Sequence, residues 1–363
     1  MDWFSDSDPT HMLVHPSHDV PQVRTTTEIE LEKPRRDWHS MHLIAGDAKR
    51  EYCLYPIKYP NLMAQYTKHV ACFWVPGAVD LSMDRAELFK LSEGEIHFVH
   101  SVLAFFASAD FIVADAVSGF ANEINIPEAK MFFRFQAAME DCHSQMYGLM
   151  VETLSRSAEE QATLSDAVFS RPSVKAKAGW AEHWMDNEMP LPRRILAFAL
   201  VEGIFFSASF CAVFWFRKQN KLKNGLGKSN EYISRDEGLH VQFALSLYRD
   251  HVEEEFKLST EEVHAMFAEA VDIERSFVED AVPVCLIGIN PKLMTRYVEF
   301  VADYWLSFMG LPKLYNVENP FDFMEALSLE SKSNFFEEHV SEYSIPTDQR
   351  NSENLDFTGA IEF

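Results

Sequence analysis

Four apolar stretches each enclose a carboxylate: Asp110 in FFASADFIVA, Glu140 in FQAAMEDCHSQMYGLM, Glu202 in FALVEGIFFSASF and Glu237 in ISRDEGLHVQFAL. Two of them carry a histidine three residues on, as Glu140-Asp-Cys-His143 and Glu237-Gly-Leu-His240. Residues i and i+3 of an α-helix lie one turn apart along the axis and about 60° apart around it, so both side chains can reach one metal ion. A carboxylate in apolar surroundings needs a partner. Four carboxylates offset two divalent ions, or two trivalent ions joined by an oxide, and such a neutral cluster suits a low-dielectric core. One Glu-x-x-His is weak, since most are surface pairs, and a lone buried Glu can be a satisfied core acid. Two such motifs on apolar helices, each preceded by a helix with a buried acid, are harder to obtain by chance. Oxygen and nitrogen donors without thiolate suit iron or manganese, although mixed ligation of this kind also suits zinc.

Tyr147 follows His143 by four residues and shares its helical face. Taken alone it reads as an ordinary core tyrosine. Beside a metal–oxygen cluster it reads as a redox-active phenol, for which Phe206, Phe210 and Ile233 offer a dry apolar jacket.

These side chains need long helices to hold them. The pattern predicts helices over about 93–122, 127–158, 191–222 and 230–256, the second opening at Pro127-Glu128. Ser259-Thr-Glu-Glu262 forms a capping box for a further helix, and Asn290-Pro291 starts the last, to about Met309. No segment alternates with period two. The expected fold is all-α, a ferritin-like long-helix bundle in which two carboxylate helices and two Glu-x-x-His helices converge on a di-metal carboxylate site. Ile195–Phe216 is long enough to span a bilayer, with Glu202 its one charge. A helix apolar all round also suits the centre of a large bundle, and that reading is preferred. Residues 1–50 read as a flexible arm, 51–327 as the di-metal domain and 328–363 as a flexible tail.

The chain has 363 residues, with 32 Lys and Arg against 56 Asp and Glu, a net charge of −24. That balance disfavours nucleic acid and anionic membranes as partners. Five scattered cysteines without a Cys-x-x-Cys argue against a disulfide framework or a cysteine zinc site. The acidic, polar N-terminus lacks a signal core, which points to a cytoplasmic location.

From about Tyr55 to Leu327 the sequence closely resembles the small, radical-generating subunit of class I ribonucleotide reductase, in its eukaryotic form. The resemblance rests on ACFWVPGAVDLS around Trp74, HSVLAFFASADFIV around Asp110, FQAAMEDCHSQMYGLM, the linker VKAKAGWAEHWMDN, VEGIFFSASF and SNEYISRDEGLH. It implies an oxo-bridged pair of iron ions, one held by Asp110, Glu140 and His143 and the other by Glu202, Glu237 and His240, with manganese still open. It implies a stable radical on Tyr147 in a pocket of Phe206, Phe210 and Ile233. It further implies an electron path through Trp74, Asp236 and His143, and a relay tyrosine, Tyr343, in a tail whose end at Phe363 docks on the large catalytic subunit. A homodimer is expected, generating the radical with O2 so that the large subunit can reduce ribonucleoside diphosphates. The rival readings are another di-metal oxidase such as an acyl desaturase, a non-enzymatic metal-binding paralogue, and an iron-storage cage.

Overall fold

Pro60, Ser92, Pro127 and Pro172 mark where successive helices begin in the structure, a computed structural model that describes residues 53–186, 188–281 and 288–324; the side chains of 108–112, 114, 115 and 168 lie outside that description. The long helices are α1 (Pro60–Ala71), α2 (Glu93–Glu123), α3 (Pro127–Leu154) and α4 (Pro172–Met185), then α5 (Leu191–Lys218), α6 (Leu226–His251), α7 (Thr260–Ala281) and α8 (Pro291–Phe308). Short helices at Asp84–Leu88, Ala158–Ser165 and Ala167–Ser170 fill the connections. No β-strand occurs among the described residues, so the all-α expectation stands. The expected arm, 1–50, and the whole of the expected tail, 328–363, lie outside the described residues.

Local chemistry sets the starts. Proline opens α1, α3, α4 and α8, where its missing N–H costs nothing. Ser92 caps α2 by accepting from the Glu95 N–H at 3.3 Å, and Glu95 returns a carboxylate to the Ser92 N–H at 2.9 Å. The capping box at Ser259 and Glu262 forms as the sequence predicts. Helix α6 starts four residues before its expected position. The Asp84 carboxylate accepts from the Gly225 and Leu226 N–H groups at 3.1 and 2.6 Å, a cap from distant sequence. Helix α5 stops at Lys218, short of 222, because Asn220 and Leu222 take positive φ.

Helix α2 packs along α3, α5 along α6, and α1 lies across α3 and α6. Helix α7 packs on α4 and α8. At the centre runs α5, long and apolar enough to cross a membrane, with its most apolar stretch wholly buried inside the bundle. It is a core helix. Within it, Val201–Phe205 widens into a π-helical turn that carries Glu202. The segment VKAKAGWAEHWMDN is not a linker: it forms most of α4, with Lys177, Trp180 and Trp184 buried. Lys177 pairs with Glu274 of α7 at 2.5 Å, donates to the Phe205 carbonyl at 2.8 Å, and lies over the Phe105 and Phe277 rings. That carbonyl ends the π turn, so the pair braces the irregular segment bearing Glu202.

Candidate metal centre

Glu140 and His143 come from α3, Glu202 from the π turn of α5, and Glu237 and His240 from α6, and all five are buried. Their spacing is that of a cluster. One donor atom from each of Glu140, Glu202, Glu237 and His240 falls within 4.8 Å of the others. His143 Nδ1 lies 3.1 Å from Glu140 Oε2 and 3.1 Å from Glu237 Oε1. His240 Nδ1 lies 3.1 Å from Glu140 Oε1 and 3.1 Å from Glu237 Oε2, with Glu202 Oε2 at 3.6 Å. Glu140 and Glu237 therefore each present one oxygen to each histidine, which is the disposition of bridging carboxylates. The backbone of Asp110 falls in α2, four residues after Phe106; its side chain lies outside the described residues.

The donor set fits a multivalent cation. Each Nδ1 has two or three carboxylate oxygens around it, and a single N–H proton can serve one of them well. The field calls for positive charge. Burial alone would push both imidazoles down, yet Asp236, Glu140 and Glu237 drive His143 well above its ordinary value. Glu140 and Glu202 do the same for His240 against the same burial. Burial and the neighbouring Glu237 charge push Glu202 well up. Glu140 is buried too, but His240 and His143 hold it well below the carboxylate range. Buried oxygens and imidazoles with no thiolate suit iron or manganese.

Behind the cluster, Asp236 accepts from Trp74 Nε1 at 2.7 Å and lies 3.3 Å from His143 Nε2. Trp74 stacks on the His143 ring, 5.9 Å between centroids. Against its burial, the Arg235 guanidinium and His143 hold Asp236 down at about 2. Arg235 also donates to the Cys72 carbonyl at 2.6 Å, tying α6 to the end of α1. Gln136 donates to Glu202 Oε1 at 3.0 Å and Glu140 Oε1 at 3.2 Å. His69 meets His240 Nε2 at 3.1 Å. The sequence reading missed Gln136, Arg235 and His69. Gln136 has one available signal, its place one turn before Glu140 on the ligand face; His69 has none.

Tyr147 is 1% exposed. The ring stacked on it is Phe106 of α2, 4.5 Å away and 18° from parallel. Phe206 and Phe210, expected beside Tyr147, pack on Phe106 at 5.8 and 5.5 Å. Ile233 is buried in the same core. Tyr343 and Phe363 lie outside the described residues.

Over residues 51–320 the sequence matches the family described as ribonucleotide reductase, small chain. The ribonucleoside-diphosphate reductase small chain of Nicotiana tabacum is 48% identical over 302 residues, covering 83% of this chain and 90% of that one. Subunit M2 of the Rattus norvegicus reductase is 42% identical over 340 residues, 93% of this chain and 86% of its own. Among solved structures, the ribonucleotide reductase Rnr4 homodimer from Saccharomyces cerevisiae aligns with a TM-score of 0.71 at 30% identity, covering 83% of this chain and 92% of that one.

Proposed function

The chain belongs to the ribonucleotide reductase small-chain family, and from that premise we propose that it makes and stores a radical on Tyr147 for a large subunit that reduces ribonucleoside diphosphates. Membership places it in an oxidoreductase, a ribonucleoside-diphosphate reductase, and sets aside the desaturase and storage readings. The observation that carries the proposal is the double span of Glu140 and Glu237 across His143 and His240.

In this reading Asp110, Glu140 and His143 hold one metal ion and Glu202, Glu237 and His240 the other. The ions are iron, although manganese suits the same donors. When bound, the pair would supply the redox chemistry that reduces O2, the Tyr147 phenol giving one further electron with loss of its proton and an external one-electron reductant giving the fourth by way of Trp74. The chain does the rest. Glu140 and Glu237, each near both histidines, would serve both metal positions, and Gln136 orients Glu202 and Glu140 through its amide. Phe106, Phe206, Phe210 and Ile233 exclude water from the phenol, which protects a radical from quenching. Asp236 fixes the His143 ring through Nε2 and couples it to Trp74. Because indole is readily oxidised, Trp74, Asp236 and His143 form the electron path between cluster and surface, and Tyr343 extends it through the tail.

Residues 51–327 form the di-metal domain in this proposal, 1–50 a flexible arm, and 328–363 a tail that docks on the large subunit near Phe363. The assembly is a cytoplasmic homodimer. The yeast relative solved as a homodimer supports the dimer. A direct test adds the iron-loaded chain to its large subunit and measures deoxyribonucleotide formed. Activity that vanishes in Tyr147→Phe is expected; equal activity of that variant would refute the role of Tyr147.

A further inference from the structure

His143 and His240 both turn Nδ1 towards the carboxylates, but they rest on different groups behind. His143 Nε2 faces the Asp236 carboxylate at 3.3 Å. His240 Nε2 faces His69 Nε2 at 3.1 Å, with the two rings 4.7 Å apart and 68° from parallel. His69 sits in the last turn of α1, 1% exposed, against the rings of Phe132 at 4.9 Å and Phe135 at 4.8 Å.

The nitrogen–nitrogen contact fixes the tautomers. To give its lone pair to a metal, His240 Nδ1 must carry no proton, so the proton of the neutral ring sits on Nε2. That N–H points at His69 Nε2, which must then accept and carry its own proton on Nδ1. Two protonated Nε2 atoms would oppose two N–H dipoles at 3.1 Å. A ring whose Nε2 accepts keeps only the proton on Nδ1 and is neutral.

We propose that His69 is a positioning residue that selects the metal-binding tautomer of His240, and that this neutral acceptor, standing where His143 has a carboxylate, makes the His240 metal position the weaker of the two. An anionic acceptor polarises the ring N–H and raises the basicity of the coordinating nitrogen; a neutral imidazole does so less. The inference rests on the two-metal reading above and adds an order of affinity to it.

The test titrates metal-free full-length chain with Mn2+, following free ion by its EPR signal, with circular dichroism to verify folding. Wild type is expected to bind two ions in two unequal steps. His69→Phe, which keeps a ring but removes the acceptor, weakens the looser step by about 10- to 100-fold and leaves the tighter step in place. His69→Gln, whose amide oxygen can accept from His240, restores it. Asp236→Asn weakens the tighter step instead. If the phenyl ring fails to pack, His69→Leu replaces it as the variant without an acceptor. Equal steps in wild type, or an unchanged isotherm in the variant lacking the acceptor, overturns the inference while leaving two metals in place. Fewer than two ions in wild type overturns the two-metal reading and this inference with it.

Discussion

Trp74 donates its indole N–H to Asp236 Oδ2 at 2.7 Å, joining the segment after α1 to the ligand-bearing helix α6 across 162 positions of sequence. The same Oδ2 lies 3.3 Å from His143 Nε2. One carboxylate oxygen thus connects a redox-active ring to a histidine of the cluster. Trp74→Phe keeps the packing but loses the donor. This variant is expected to bind metal as wild type does, to form the radical more slowly, and to lose ribonucleotide reduction with the large subunit. Metal content, EPR and turnover measured on one preparation check this. Full turnover without the indole would remove Trp74 from the path.

Glu140 and Glu237 each touch both histidines, whereas Glu202 approaches His240 alone among the two. Removing a spanning carboxylate should disturb both metal positions; removing Glu202 should disturb one. Glu237→Ala is expected to reduce bound metal towards zero and Glu202→Ala towards one ion per chain. Elemental analysis after desalting reads the difference. Equal losses in the two variants would contradict the bridging arrangement.

The cluster also predicts how metal loading depends on pH. His143 and His240 are raised by surrounding carboxylates, and Glu202 by burial and Glu237, so all three favour protons. A metal must displace them. Apparent affinity is therefore expected to fall as pH is lowered, with protons released on binding. Calorimetry in buffers of different ionisation enthalpy measures the release; a value of zero would contradict this account.

Lys177 and Glu274 make a second, structural prediction. Burial raises Glu274 from 4.5 to about 7 and lowers Lys177 from 10.5 to about 8. Between 4.5 and 7 the folded chain keeps a proton that the unfolded chain has lost, so stability falls as pH rises there. Between 8 and 10.5 the unfolded chain keeps a proton that the folded chain lacks, so stability recovers with rising pH. The pair's contribution is lowest between pH 7 and 8. Lys177→Met alone leaves Glu274 uncompensated and should cost about 3–5 kcal/mol. Lys177→Met with Glu274→Leu should cost less and flatten the pH dependence. Melting curves across pH compare the two; identical losses would contradict the pairing.

The helices that carry ligands were legible because apolar residues, caps and prolines announce them locally. Glu140, His143, Glu237 and His240 could be paired because i and i+3 is a local relation. The long-range features were not. Lys177 in VKAKAGW looked like a polar linker residue because its partner, Glu274, lies on another helix. The start of α6 depends on Asp84, far upstream. The π turn under Glu202 has no hydrophobic period of its own, and its end is held by Lys177. Phe106, which stacks on Tyr147, was not singled out because sequence alone does not say which face of α2 meets α3. His69 is a single histidine outside any metal-ligand spacing, and only folding brings it to His240.

The central claim is that Tyr147 becomes a sheltered radical beside a two-metal cluster. The most direct measurement adds Fe2+ and then O2 to the metal-free chain and records its EPR spectrum. A tyrosyl doublet that persists for minutes and is absent in Tyr147→Phe, with two iron ions bound in both proteins, is the expected result. Two bound iron ions without any organic radical, or a doublet that survives in Tyr147→Phe, would contradict it.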